Sequence, residues 1–330
     1  DPLWSRGLGD VYKRQADAMS FSHRHFLEHP IAIISESTLG LIPLLARFQC
    51  HSLEPSGLAL PAGICPHLVV LDDVDAALRL ALLDELEHLH VEGELRGLLA
   101  LLGSSESGER VAAHLRSVML RRKPGSTRYW LRLHDPRVFM HFPRILDSLQ
   151  LRDLMGPISV WWWRDPDLNR WGSIDRPAEA GQPGQGWTER QWDAVFRIEL
   201  VNRVALDVVR AAPQMAAHPD LHERADVALR RAIELEALVV PEDQQAFAVD
   251  HVIHGEALFA HPEMQRCLRD VRENGATYVG GTVDLDLFAL ARATNPAAQA
   301  ERPSGRHWSE NEIKGCLLYT SDAADDLLCV

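Results

Sequence analysis

Residues 128–163, RYWLRLHDPRVFMHFPRILDSLQLRDLMGPISVWWW, constrain the fold more than any other part of the 330-residue chain. The run YWLRL (129–133) is apolar and aromatic enough for a strand, and ISVWWW (158–163) for a second one. Between them, Asp135 followed by Pro136 and Arg137 marks a helix start. An Asp side chain accepts from the orphan N–H groups of a first turn, and Pro fits the first helical position. A helix over 137–149, a short further helix and the Gly156-Pro157 turn then return the chain to the aromatic strand.

Elsewhere in the first half, IAII (31–34), HLVVL (67–71) and GLLALL (97–102) are further strand candidates. Helices are expected over 39–48, 74–89 and 106–118, with Ala77, Leu78, Leu82, Leu86 and Leu89 at helical spacing in the second. In GSSESG (103–108), Ser105 or Ser107 is placed to cap the helix that follows. Strands alternating with helices imply an α/β architecture, a mixed sheet with flanking helices. Residues 172–186, GSIDRPAEAGQPGQG, have little to bury and read as a linker or long surface loop. After them the apolar spacing is helical. Thr188 and Gln191 fit a capping box, and Trp192, Val195, Phe196, Leu200, Val204 and Val208 trace one face. Further helices are expected over 219–238, 242–259 and 262–273, with Gly280-Gly281 in a turn or a late loop. The expected organisation is an α/β domain over 16–171, a linker over 172–187, an all-helical lobe over 188–300 and a tail over 301–315.

The outermost residues have another origin on this reading. A DNA sequence that would encode DVYKRQ (10–15) has a reverse complement that, read from its second base, would encode CLLYT and the start of Ser, as in 316–321, the pattern expected of a sequencing adapter translated from both ends. Residues 1–15 and 316–330 are therefore set aside from fold reasoning, and Met19 is only a candidate start. The formal net charge of −13 disfavours a nonspecific nucleic-acid or anionic-membrane surface. Inside the ends, Cys50, Cys65 and Cys267 form no C-x-x-C pair and no even-numbered disulfide set. No apolar run approaches the roughly 20 residues that span a bilayer, and the expected compartment is the cytoplasm.

The chemical motifs are few. There is no G-x-x-x-x-G-K-[ST] loop, no G-x-G-x-x-G fingerprint, no G-x-S-x-G elbow and no H-E-x-x-H. His25 and His29 (i,i+4) and His251 and His254 (i,i+3, beside Asp250) could each offer two metal ligands. A zinc site needs three or four with an outer shell. Arg132, Asp135 and Arg137 form either a structural cap with its ion pairs or a charged contact for a partner. Along a strand Trp162 points away from Trp161 and Trp163. Either one sheet face carries an exposed aromatic patch, or the sheet is covered on both faces.

The order of these features resembles the core of the type VI secretion effector chaperones, or adaptors, a family first defined as a domain of unknown function. Its Arg-aromatic-aromatic-Asp-Pro-Arg signature is matched by Arg132, Asp135, Pro136 and Arg137, with Leu133 and His134 in place of the two aromatics. GICPHLVVL (63–71), AAHLRSVM (112–119), the Gly156-Pro157 turn and HGEALFAHPEMQRCL (254–268) continue the resemblance. It implies a non-catalytic binding protein without a cofactor. Its partners would be a secreted effector, held by its N-terminal or PAAR-like region, and the valine-glycine repeat spike on which the effector is loaded. The family motif, with Trp161, Trp162 and Trp163, is the expected partner-binding region. A metal-dependent hydrolase using the His251/His254 region is the alternative.

Overall fold

Four-residue apolar runs can be buried on both faces only at the centre of a covered sheet, and IAII occupies that place. In the computed structural model, which describes residues 21–58, 60–61, 63–89, 97–125, 128–165, 170–178 and 186–294, Ile31, Ala32, Ile33 and Ile34 are all buried. The adapter-like ends and the 301–315 tail lie outside the described residues. The chain divides into two compact units between Ala194 and Val195.

The first unit contains helix α1 (Phe21–Glu28), strand β1 (Ile31–Ile34), the one-turn α2 (Glu36–Leu39), a 3-10 turn (Pro43–Arg47), β2 (Gln49–Ser52) and β3 (His67–Val70). Then come α3 (Ala76–His88), β4 (Leu98–Ser104), α4 (Gly108–Val118), β5 (Leu120–Arg122) and β6 (Arg128–Trp130). Three short helices follow, α5 (Pro136–Phe139), α6 (Phe142–Ile145) and α7 (Ser148–Met155), and then β7 (Ile158–Asp165) and β8 (Arg170–Asp175). The main sheet runs β2-β3-β1-β4-β7-β8, and β5 pairs with β6 apart from it. The expected α/β class with flanking helices is what forms. Every pairing in the main sheet is antiparallel, however, where a mixed sheet was expected. Short apolar runs carry no record of strand direction.

Both faces are covered. Ala32, Ile34, Val69 and Leu101 join Leu82, Leu83 and Leu86 of α3 in one cluster. On the other face α4 starts so close that a Cβ on Gly108 would meet Val70 Cγ2 at 2.4 Å. Asp75 caps α3 and Ser107 caps α4 through their side-chain oxygens.

Several expected elements are cut by their own punctuation. The 39–48 helix becomes a single turn and a 3-10 turn because Pro43 cannot donate within a continuing helix. The 137–149 helix is three pieces: Pro143 begins one, and Asp147 with Gln150 forms a capping box that begins the next. The expected strand over 129–133 ends at Trp130 and belongs to the small sheet. Gly172, Ser173, Ile174 and Asp175, expected in the linker, are paired in β8.

The second unit is helical. Helix α8 (Glu189–Phe196) crosses the boundary and breaks at Arg197 before α9 (Ile198–Ala211). A 3-10 turn (Pro213–Ala217), α10 (Leu221–Glu234), α11 (Pro241–His254), α12 (Glu256–Phe259), α13 (Pro262–Asn274), α14 (Tyr278–Thr282) and α15 (Leu287–Thr294) complete it. The single helix expected over 242–259 is split at Gly255, whose φ of +68° is a left-handed turn suited to glycine. Gly280 and Gly281 lie inside α14 rather than in a turn. Phe247, Phe259, Met264, Leu268 and Tyr278 form the core. Among the described residues no helix is long and apolar enough to cross a membrane.

Candidate functional site

The charged residues of the central stretch converge on one carboxylate. Asp135 is 2% exposed, and its Oδ1 accepts from the Arg137 N–H at 2.9 Å, capping α5 behind Pro136. Arg137 folds back on the same group, Nε to Oδ1 at 3.2 Å and Nη2 to Oδ2 at 3.1 Å. Arg132 Nη2 reaches Oδ2 at 3.0 Å from the turn after β6. Burial alone would raise the Asp135 pKa. The two guanidiniums and the Arg137 hydrogen bond outweigh it and hold the carboxyl below its usual range. His134 beside it is buried and stacked on Trp130, with ring centroids 5.4 Å apart. Burial and then Arg132 push its imidazole down to about 3, so it stays neutral.

This cap positions one aromatic ring. Phe139 closes α5 and stacks on Trp161 of β7 at 3.9 Å between centroids and 12° between planes; it meets Trp163 edge-on at 5.7 Å. The junction and the aromatic strand are thus one packing unit. Trp161 is buried and Trp163 half-buried. Trp163 lies opposite Gly172 in the β7–β8 ladder, and a Cβ on Gly172 would come within 2.5 Å of its indole. Trp162 takes the other face, where the His25 ring lies 4.0 Å away and Trp171 packs against the same cluster. The tryptophans therefore have cover on both faces of the sheet.

Gly156 and Pro157 form the turn into β7. Gly156 has φ +54° and ψ −113°, and a Cβ there would lie 2.2 Å from the His114 ring. Only glycine fits that combination. His114 Nε2 bonds the Leu154 carbonyl at 2.9 Å, and Ser104 Oγ donates to the Pro157 carbonyl at 2.9 Å.

A second aromatic group was not legible in advance. Trp187, Trp192, Phe142 and Tyr129 cluster, with Trp187 5.1 Å from Trp192 and 5.6 Å from Phe142. The Arg121 guanidinium sits 5.6 Å over the Trp187 ring. The expected Thr188–Gln191 capping box forms, and Gln191 Nε2 also donates to the Ile145 carbonyl at 3.0 Å. The signal available was the Trp187/Trp192 spacing beside a capping box, but the cluster's other members come from distant parts of the chain.

His251 and His254 go to different neighbours. His251 Nε2 lies 3.1 Å from Glu256 Oε1, a carboxylate that also pairs with Arg231. His254 meets the Phe288 ring edge-on at 4.4 Å, and burial lowers its pKa to about 4. His25 and His29 are joined by a 2.7 Å bond from His29 Nδ1 to the His25 carbonyl. Among the described residues no group of three His, Cys, Asp or Glu side chains is arranged to hold a metal ion.

Residues 43–153 match the model of a domain of unknown function, DUF4123. The matched span takes in Arg132, Asp135, Pro136 and Arg137 and ends before Gly156, Pro157 and the tryptophans. No curated protein and no solved structure matches the chain.

Proposed function

We propose that the chain is a non-catalytic, cytoplasmic chaperone-adaptor that holds a type VI secretion effector and delivers it to the valine-glycine repeat spike. The observation that carries this reading is the DUF4123 match over residues 43–153, which encloses the part of the chain where the effector-chaperone resemblance is densest. The chemistry of the junction agrees with it. Both Asp135 oxygens are engaged by a cap and two guanidiniums, which holds this carboxylate in a structural role rather than free for proton transfer. An adaptor needs affinity that can be exchanged, so its partner surface combines an apolar centre with a polar rim.

The test is co-expression of the full chain with effectors and spike proteins from one genome, followed by affinity capture. Retention of an effector through its N-terminal or PAAR-like region, and its release on adding spike protein, is the expected result. Passage of every effector past a folded chain would remove the reading. Stoichiometric zinc lost on His254→Ala would turn attention to the hydrolase alternative.

A further inference from the structure

The β2 end of the main sheet is built as an open acceptor for another strand. The register pairs Gln49 with Val70 and Ser52 with His67, and the Leu53 N–H bonds the Pro66 carbonyl at 3.0 Å. That bond fixes the parity of the ladder: Gln49, His51 and Leu53 turn their amides toward β3, so Cys50 and Ser52 turn theirs outward. The outward Ser52 carbonyl is taken by Arg116 Nη1 at 2.8 Å. Among the described residues no backbone group bonds the Cys50 N–H, the Cys50 carbonyl or the Ser52 N–H from the outer side.

Three further features shape this edge. Its sequence, Gln-Cys-His-Ser, carries none of the charges or prolines that commonly blunt exposed edges. Beside Cys50 a cavity of about 450 Å³ opens, lined by Leu39, Ile42, Pro43, Leu45, Phe48 and other apolar groups. Both ends are basic: Arg47 is exposed and has no ion-pair partner among the described residues, and Arg116 sits at the Ser52 end. Two acids lie near the Ser52 end and both are turned to backbone amides, Glu54 to the Leu60 N–H and Glu36 to the Gly63 and Cys65 N–H groups.

We infer that β2 accepts an extended peptide segment of another protein, added antiparallel or parallel as an outer strand. The segment seats an apolar side chain in the Leu39–Phe48 cavity and places acidic residues toward Arg47 and Arg116. Main-chain bonds to the Cys50 and Ser52 amides supply affinity, and the cavity selects the side chain. The inference goes beyond the adaptor reading, because an edge of this kind accepts a strand whether or not that strand belongs to a secreted effector.

The probe is a fluorescein-labelled ten-residue peptide, glutamate at both ends and alternating valine and threonine between, titrated into the full chain by anisotropy. Saturable binding is expected, weakened about fivefold or more when the amides of one alternate set are N-methylated and unchanged when the other set is, since a lost main-chain bond is worth about a kcal/mol. Cys50→Pro removes an outward N–H while sparing the ladder to β3, and should weaken binding similarly. Ala46→Glu should also weaken it by narrowing the cavity and repelling the acidic ends. N-methylation leaves the protein untouched, so the result stands even if a variant folds poorly. Absence of saturable binding up to about 1 mM, the weak limit of a specific contact, overturns the inference. Affinity indifferent to which amide set is methylated overturns it too.

Discussion

Two acids, the buried Asp135 in the first unit and the half-buried Asp250 in the second, titrate in opposite directions. Asp135 has two guanidiniums and a helix N-terminus, which hold its carboxyl low. Among the described residues Asp250 on α11 has one neutral donor, the Tyr278 hydroxyl at 2.8 Å, and burial pushes its pKa up to about 7 against that hydrogen bond. The Asp243 carboxylate, which accepts the Val279 N–H at 3.1 Å, and the Cys267 thiol lie in the same neighbourhood and add no positive charge. Burial therefore does not decide whether an acid is charged; the number of counter-charges that share its burial does.

The comparison breaks most sharply at Asp135. Asp135→Ala removes the cap and leaves Arg132 and Arg137, which are 16% and 18% exposed, without their shared carboxylate. A cap alone is worth about 0.5–2 kcal/mol, and stripping one partner from a buried pair costs about 3–5 kcal/mol, so the loss should approach about 3 kcal/mol. Urea unfolding followed by tryptophan fluorescence measures it, since every tryptophan among the described residues belongs to the first unit. A loss under about 1 kcal/mol would mean that the ion pairs contribute nothing beyond the cap.

Asp250 should respond with the opposite sign. Its folded pKa of about 7 lies above the ordinary 3.8, so its favourable contribution is complete below pH 3.8 and is lost as pH rises through about 7. Asp250→Asn should then stabilise the protein at pH 8 by about 2 kcal/mol, the order expected of a partly shielded group, and change little near pH 4. Thermal melts across that range read both. For Asp135 the lowered pKa means stability present above the ordinary value and lost as pH falls through the folded one. Acidification thus weakens the junction while it favours the Asp250 site.

The smallest effect sharpens the assignment. Tyr278→Phe removes the hydrogen bond that lowers the Asp250 pKa, so the carboxyl should titrate higher still, with about 1 kcal/mol lost near pH 8. Carbon-detected NMR of the Asp250 carboxyl follows the titration directly. An unchanged midpoint would show that the hydroxyl does not set it.

These sites were unequally readable from the sequence. Asp135 was visible because Asp-Pro at a helix start is a local instruction, and the cap forms where it was expected. Its two ion pairs are local as well, three and two residues away. Asp250 was noticed only as a neighbour of His251 and His254; its raised pKa gave no sign, because its partner Tyr278 returns from 28 residues further on. The same divide runs through the fold. IAII gave a strand with its expected limits. β8 was missed because Gly172, opposite Trp163, lets the partner strand supply the bulk that a strand's own sequence usually carries. Asp147 and Pro143, two plain signals for helix starts, lay inside the longer helix that apolar spacing suggested.

The ladder at the centre of the main sheet has a kinetic consequence. Ala100 is held opposite Trp163 and Ile31 opposite Leu102, pairings that must close loops of about 60–70 residues before any bond across them forms. The second unit is helical, and its helices form along short stretches of chain. Folding rate falls as contacts grow more distant in sequence, so the first unit is the slow step. During that delay the newly made chain presents unpaired IAII and ISVWWW segments, and its own exposure to aggregation is greatest before the tryptophans find their cover.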